Sequence, residues 1–210
     1  MRLVRGAPRH AWLNSDVNNP YLGAGPAGLE AARVSAERGH AVTVFEAADQ
    51  PGGQIRIAAG LPRRREILGI VDWRVQQCEK KGVLLRLNTY AEAEDVLAEA
   101  PEVVVVATGG VPDTSFLDAG EDLVTSGWDL LTGGVRVAEN VIFYDDNGAH
   151  PGMTAAEFVA ENGAQLEIIT PERTLAPDVG GTNYPAYFRS FAKNGARITI
   201  NLRLRRVRRE

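Results

Sequence analysis

The chain has 210 residues, of which 44% are hydrophobic and 24% charged, the composition of an ordinary globular protein. Its net charge of −4 gives no overall attraction to nucleic acid or anionic membranes. No apolar run reaches the roughly 20 residues that a membrane span needs. The single cysteine, Cys78, excludes an internal disulfide framework and a cysteine-rich metal site. We therefore expect a cytoplasmic protein with no nucleic-acid or membrane partner and no metal.

Residues 1–21 show no usable periodicity, and we predict an irregular leader there. A buried parallel strand, which should precede a nucleotide-binding turn, is normally a continuous apolar run. Here the segment is polar and contains Pro20, which cannot donate a backbone hydrogen bond to a strand ladder. The sequence thus predicts a poorly formed first strand.

Residues 22–33 contain the most informative motif, a G-x-G-x-x-G turn followed by a helical pattern. Gly23 permits a sharp reversal of the chain, Gly25 removes a Cβ that would collide with a pyrophosphate, and Gly28 lets the helix pack closely. The pyrophosphate would bind at the N-terminus of the helix, where free N–H groups favour an anion. The predicted binding residues of this turn are Gly23, Gly25, Pro26, Ala27 and Gly28.

A helix stop, a strand and an acid complete this first βαβ unit. Gly39 ends the helix, residues 41–45 are β-branched and apolar, and Glu46 lies 23 positions after Gly23. An acid at this position can accept hydrogen bonds from ribose hydroxyls. The unit therefore predicts an adenine dinucleotide site, with a glycine-rich turn that binds no ligand as the alternative.

Two more glycine-containing segments follow. The loop 51–54 carries Gly52, Gly53 and Gln54 shortly after Glu46. Residues 102–107 are apolar almost throughout, which predicts a strand buried on both faces. This strand ends in Thr108 and Gly109.

The same order of elements then begins again. Residues 140–145 predict a strand, 146–152 a glycine-rich turn, 154–162 a helix and 165–170 a second strand. The result is a second βαβ unit in tandem with the first.

The second turn lacks the G-x-G-x-x-G spacing, but small residues still permit a tight turn. Gly148 and Gly152 lie in it, and His150 between them could approach a phosphate. Glu172, 24 positions after Gly148, is placed for a ribose hydroxyl and favours NAD, whereas the neighbouring Arg173 could meet the 2′-phosphate of NADP. A nucleotide fold that binds nothing is the alternative.

We therefore predict an α/β protein with two Rossmann-like, three-layer dinucleotide-binding units built on parallel sheets. Residues 22–115 would form an FAD- or ADP-binding domain and residues 116–210 an NAD(P)-binding domain. The sequence shows no catalytic triad, no paired carboxylates and no metal-ligand spacing, so we predict no catalytic residue. The arginines after residue 202 begin on the polar face of an alternating strand and indicate a solvated edge.

The motifs at residues 23–28, 51–54 and 107–110, with Glu46 and the second βαβ unit, resemble the two-dinucleotide-binding flavoproteins. The similarity is greatest to the C-terminal half of the NADH:flavin oxidoreductase family, which includes 2,4-dienoyl-CoA reductase, trimethylamine dehydrogenase and the N-methylproline and dimethylglycine demethylases. Residues 72–78, 144–146 and 178–181 also resemble the demethylase branch.

The resemblance implies the roles of these segments. The first turn would hold the pyrophosphate of FAD, or of ADP as in some members, and Glu46 its ribose. Gly52, Gly53 and Gln54 would line the approach to the dinucleotide, with Thr108 and Gly109 beneath it. The region 148–157 would receive NAD(P)H, so that electrons pass between NAD(P)H and FAD in the parent enzyme.

Three features of the family do not occur in this sequence: the FMN-binding barrel, the iron–sulfur cysteines and the late motif that closes over the flavin. We therefore expect a fragment, with a barrel domain on a separate chain as a possible partner. The alternative function is a non-catalytic ADP- or nucleotide-binding module, or an inactive truncated fragment.

Overall fold

A computed structural model describes residues 18–209 of the chain, which divide into two compact units. The first unit comprises residues 18–56 and 66–110, and the second comprises residues 57–65 and 111–209. The division falls after Gly110, whereas we expected it after residue 115. Residues 57–65, expected in the first domain, belong to the second unit.

The elements of the first unit follow one another in βαβ order. They are β1 (Asn18–Leu22), α1 (Pro26–Glu37), β2 (Ala41–Phe45), α2 (Gln54–Ala58), a 3-10 helix (Pro62–Leu68), α3 (Gly69–Lys80), β3 (Leu84–Arg86), α4 (Ala93–Ala98) and β4 (Val105–Val106). Helix α2 and the 3-10 helix run across the limits of the two units. Within the described residues the strands form a four-stranded parallel sheet in the order β3-β2-β1-β4.

The core of the first unit lies between the middle of this sheet and the helices α1 and α3. Helix α1 buries Gly28, Leu29 and Ala32, which share one helical face, and Gly39 at φ +92° ends the helical run. Val44 of β2 and Cys78 of α3 are fully buried in the same cluster.

The segment before the first turn is a strand, which corrects our prediction of an irregular leader as far as residues 18–21 are concerned; residues 1–17 lie outside the described residues. Strand β1 is central in the sheet and pairs with β2 over all five of its residues. Pro20 is tolerated because the ladder with β4 begins only at Tyr21.

Polar side chains of β1 are hydrogen-bonded to residues of neighbouring segments. Asn18 donates to the Thr43 hydroxyl at 2.8 Å and to a Glu99 carboxylate oxygen at 2.8 Å. The Asn19 side-chain oxygen accepts from the Val103 N–H at 3.0 Å, on the side where β4 has not yet begun to pair. Buried polar groups are stable when they are hydrogen-bonded in this way.

The predicted strand at residues 102–107 is shorter and more exposed than expected. Only Val105 and Val106 pair, at the edge of the sheet, and Val106 is 68% exposed. The prediction of burial on both faces was wrong, because an apolar run does not show whether a further strand or helix covers it.

The second unit repeats the βαβ order. Its elements are a 3-10 helix (Glu121–Leu123), α5 (Gly127–Leu131), β5 (Asn140–Tyr144), α6 (His150–Glu161), β6 (Gln165–Ile169), α7 (Tyr184–Lys193) and β7 (Arg197–Thr199). Among the described residues the strands form a three-stranded parallel sheet in the order β5-β6-β7. Buried residues of α6, β6 and α7 form its core, Met153, Val159, Ile168, Tyr187 and Phe191 among them.

The predicted α/β class with parallel sheets is confirmed by both units. The alternating pattern after residue 197 forms a strand only at Arg197–Thr199; up to residue 209 the rest makes one isolated bridge, between Arg206 and Ala119.

Candidate functional site

The glycine turn of the first unit lies between the carboxyl end of β1 and the start of α1. Gly23 has φ +97°, a conformation that L side chains rarely adopt. A Cβ built on Gly23 would lie 2.5 Å from the carbonyl oxygen of Ala107 and 3.2 Å from the Cα of Thr108. The first glycine is therefore needed for its backbone angle and for the close approach of the chain after β4, a second reason that the motif alone did not indicate.

The second and third glycines serve different purposes. Gly28 is in the first turn of α1, and a Cβ there would lie 1.9 Å from the carbonyl oxygen of Gly23. Gly25 is the N-cap residue at φ −71°, and no described atom beyond its chain neighbours lies within 4 Å of a Cβ built on it. The fold requires Gly28, whereas the fold alone gives no reason for glycine at position 25.

The start of α1 is free to receive an anion. Pro26 and Ala27 are its first helical residues. In the part of the chain that the structure describes, no side chain caps this helix and no acid lies in its first turn. The unpaired N–H groups and the positive end of the helix dipole therefore face the open space beside Gly25.

Glu46 follows β2 directly, and its carboxylate is held beside the glycine turn. One oxygen accepts from the N–H of Ala24 at 2.7 Å, and the other accepts from the N–H of Ala48 at 2.9 Å. A carboxylate has about four acceptor positions, so two remain for ribose hydroxyls. The bond to Ala24 gives Glu46 a second role, because it fixes the turn between the first two glycines.

The predicted lining segments lie next to the same turn. The Gly52 N–H donates to the carbonyl oxygen of Ala24 at 2.8 Å. A Cβ on Gly53, at φ +49°, would lie 3.4 Å from the Cα of Gly25. The structure thus brings the loop after Glu46 against the middle glycine.

The segment after β4 reaches this loop as well. The side-chain amide of Gln54 donates to the carbonyl oxygen of Gly110 at 3.1 Å. The same amide nitrogen lies 3.3 Å from a Cβ built on Gly109, which has φ +74°. With Thr108 beside Gly23, all the residues predicted in the first unit converge around one turn.

The residues predicted in the second unit are held by internal contacts. Gly148, at φ +69°, packs on Pro177, whose Cδ would lie 2.9 Å from an added Cβ. The Glu172 N–H donates to the Thr170 hydroxyl at 3.3 Å, and the Glu172 carbonyl oxygen accepts from the N–H of Asn201 at 3.1 Å.

His150, which we expected to approach a phosphate, has one ring nitrogen held by neighbouring side chains of the second unit. Its Nδ1 lies 2.9 Å from the buried Tyr187 hydroxyl and 2.9 Å from an Arg64 nitrogen. Burial, with the nearby positive charges of Arg64 and Arg63, lowers the pKa of the His150 ring. The neutral ring attracts anions weakly.

Gly152 packs against a buried acid, Asp145, which is the last residue of the predicted strand 140–145. A Cβ on Gly152 would lie 2.3 Å from Oδ1 of Asp145. This oxygen accepts from the N–H groups of Asn147 and Gly148, both at 3.2 Å. Asp145 is 3% exposed, and its Oδ2 has no hydrogen-bond partner among residues 18–209.

Burial raises the pKa of the Asp145 carboxyl, so its ionised form destabilises the fold at a pH above that raised pKa. This cost disappears as the pH falls below the ordinary range of an aspartate, because the group is then protonated in both states. We expect Asp145→Asn to be more stable than the wild type at neutral pH, with the difference shrinking towards zero in acid. Urea unfolding over a pH series measures this; parallel pH profiles for the two proteins would contradict it.

Other classes of site find no support among the described residues. No group of three or more His, Cys, Asp or Glu side chains in residues 18–209 could hold a metal ion. In the same part of the chain, no helix has the length and apolarity that crossing a membrane requires.

Comparison with known proteins agrees with the geometry of the first turn. Residues 22–65 match the model of an NAD(P)-binding Rossmann-like domain. The chain is 52% identical over 186 residues to a probable N-methylproline demethylase of Rhizobium meliloti, covering 89% of this chain and 27% of the relative. It is 43% identical over 196 residues to an N,N-dimethylglycine/sarcosine dehydrogenase of Chromohalobacter salexigens, covering 90% and 28%. The chain is homologous to the dinucleotide-binding region of flavin-dependent oxidoreductases.

Solved structures support the same assignment. A 2-naphthoyl-CoA reductase, solved with 2-naphthoyl-CoA, superposes with a TM-score of 0.83 at 33% identity, over 90% of this chain and 29% of its own. The histamine dehydrogenase of Rhizobium sp. 4-9 gives 0.78 at 26% identity, over 95% and 32%. These matches confirm the resemblance to the NADH:flavin oxidoreductase family, and the chain spans between a quarter and a third of the length of these relatives.

Proposed function

We propose that the first unit binds the ADP portion of an adenine dinucleotide, and that this dinucleotide is FAD in the intact oxidoreductase. The open space in front of Gly25, at the uncapped start of α1, carries the proposal. Glycine at this position has no packing reason, so a ligand is the simplest explanation for the absent side chain.

The neighbouring groups fit this ligand chemically. The N–H groups at the start of α1 would bind the pyrophosphate, and the two remaining acceptor positions of Glu46 would take ribose hydroxyls. The loop at Gly52 and Gly53 and the segment at Thr108 and Gly109 would line the bound dinucleotide. A bound flavin supplies the redox chemistry, and these residues hold and orient it.

For the whole protein, we propose flavin-dependent electron transfer linked to a nicotinamide cofactor, as in the family to which the chain is homologous. A barrel domain, in the same protein or on a partner chain, would then carry the substrate. A cytoplasmic setting fits the buried, unpaired thiol of Cys78.

The second candidate function is an ADP-binding module without redox activity. This function is favoured because the groups described above, which are the glycine turn, the start of α1 and Glu46, would all contact the ADP half of a dinucleotide. In that case the first unit would bind ADP and FAD with the same affinity, since the flavin half would gain no contact.

Calorimetric titration of the full chain with FAD, ADP and 2′-deoxy-ADP tests the proposal. We expect FAD and ADP to compete for one site, and 2′-deoxy-ADP to bind at least about 10-fold more weakly because a hydrogen bond to a charged group is worth about 1.5–3 kcal/mol. Tighter binding of FAD than of ADP separates the flavoprotein from the ADP module, which would bind both with the same affinity. The proposal fails if neither FAD nor ADP binds.

A further inference from the structure

We propose that the second unit is closed to dinucleotides, because the Asp145 carboxylate lies where the pyrophosphate would bind. The chain would then bind at most one dinucleotide, in the first unit, and the nicotinamide cofactor of the proposed function would bind elsewhere in the intact protein. This proposal concerns the second unit alone and stands whether or not the first unit binds FAD.

Asp145 occupies the position that Gly23 has in the first unit. Each is the first residue after the first strand of its βαβ unit. The Gly23 N–H donates to the carbonyl oxygen of Phe45, the last residue of β2, at 2.8 Å. The Asp145 N–H donates to the carbonyl oxygen of Ile169, the last residue of β6, at 2.9 Å. By these hydrogen bonds the counterpart of the first glycine is Asp145 rather than Gly148.

The helix starts can be compared in the same way. The N-cap residue is Gly25 in α1 and Ala149 in α6, and the third helical residue is Gly28 in α1 and Gly152 in α6. The third residue must be glycine in both units, because it packs on the residue that follows the strand. In the first unit that residue presents a backbone oxygen, whereas in the second it presents the carboxylate of Asp145 at the start of α6.

The ribose-binding acid is also replaced. The Glu46 N–H donates to the carbonyl oxygen of Arg86, the last residue of β3, at 2.9 Å. The Thr170 N–H donates to the carbonyl oxygen of Thr199, the last residue of β7, at 3.0 Å. Thr170 is thus the counterpart of Glu46; it is fully buried, and its hydroxyl accepts from the N–H of Glu172.

These replacements change the charge of the site. Within residues 18–209, neither α1 nor α6 has a side-chain cap, but the start of α1 faces open space, which suits a pyrophosphate. In the second unit the buried Asp145 carboxylate lies against the first turn of α6 and accepts hydrogen bonds from the N–H groups of Asn147 and Gly148. A phosphate there would meet a like charge in a site of low dielectric, where repulsion is strong.

Of the two arginines next to α6, Arg63 is paired with an acid and Arg64 is held by uncharged side chains. Arg63 is paired with the buried Glu157, with nitrogen–oxygen distances of 2.9 and 3.0 Å. Arg64 donates to the Tyr187 hydroxyl and contacts His150. Both cations therefore have partners inside the unit.

Amide NMR spectra of the isotopically labelled full chain, titrated with ADP and then with NADH, test the proposal residue by residue. We expect saturable shifts for the amides of Gly25, Gly28 and Ala48, and none for those of Gly148, Gly152 and Thr170. Calorimetry should give at most one bound dinucleotide per chain, and no NADH binding should remain in a Gly25→Ala variant.

Saturable NADH-dependent shifts at Gly148 and Gly152, or NADH binding that survives Gly25→Ala, would overturn the proposal. Absence of shifts in both units would instead refute the proposed site of the first unit while agreeing with closure of the second. The two proposals therefore fail through different signals.

Discussion

Replacement of Gly25 by alanine should remove dinucleotide binding while the first unit stays folded. An added Cβ meets no described atom within 4 Å, and φ −71° suits an alanine. The methyl group would instead project into the space assigned to the pyrophosphate. We expect the affinity for ADP and FAD to fall by at least about 100-fold, equivalent to about 2.7 kcal/mol. The free energy of unfolding should fall by less than about 1 kcal/mol. This small loss reflects the poorer performance of alanine than of glycine as an N-cap residue.

Gly28→Ala is the matched control, since it adds the same methyl group three residues away. Its Cβ would lie 1.9 Å from the carbonyl oxygen of Gly23, so the turn or the helix must move. Overpacking of this kind costs about 3 kcal/mol, and we expect a lower melting temperature as well as lost binding. Thermal unfolding and ADP calorimetry on both variants check the pair. Normal ADP binding by the Gly25→Ala protein would contradict the proposed site.

The sequence predicted the first unit well because the glycine turn is constrained by the backbone. Positive φ at Gly23 and close packing at Gly28 are properties of the chain itself, so the spacing of the motif carries them. Strand β1 was missed because its polar residues are satisfied by partners far away in sequence, such as Thr43 and Glu99. A hydropathy pattern cannot show where such partners lie.

Spacing alone does not identify the counterparts of Gly23 and Glu46 in the second unit, because the second turn is longer than the first. Five positions separate Gly23 from Gly28, whereas seven separate Asp145 from Gly152. Spacing alone therefore selected Gly148 as the first glycine and Glu172 as the acid. Only the hydrogen bonds between strand ends identify Asp145 and Thr170 as the counterparts.

Replacement of Arg63 by methionine should destabilise the second unit more than replacement of any other exposed residue in the segment 57–65. Arg63 lies in a segment distant in sequence from α6, yet its guanidinium pairs with Glu157, which is 1% exposed, and lies 4.4 Å from the centre of the Tyr187 ring. Removing the cation leaves a buried carboxylate without its partner, which costs about 3–5 kcal/mol. We expect about 3 kcal/mol, because the Arg63 side chain is 33% exposed and solvent already screens the pair.

A double-mutant cycle separates the charge pair from the loss of packing. Glu157→Gln alone should cost less than Arg63→Met, because the partly exposed guanidinium can turn to solvent whereas the buried carboxylate cannot. In the double variant, Glu157→Gln should recover at least about 1 kcal/mol of the loss, since no buried charge remains. Denaturant unfolding of the four proteins measures the coupling. Purely additive losses would mean that Arg63 attaches residues 57–65 to the second unit through its contact with Tyr187, and that the ion pair adds nothing.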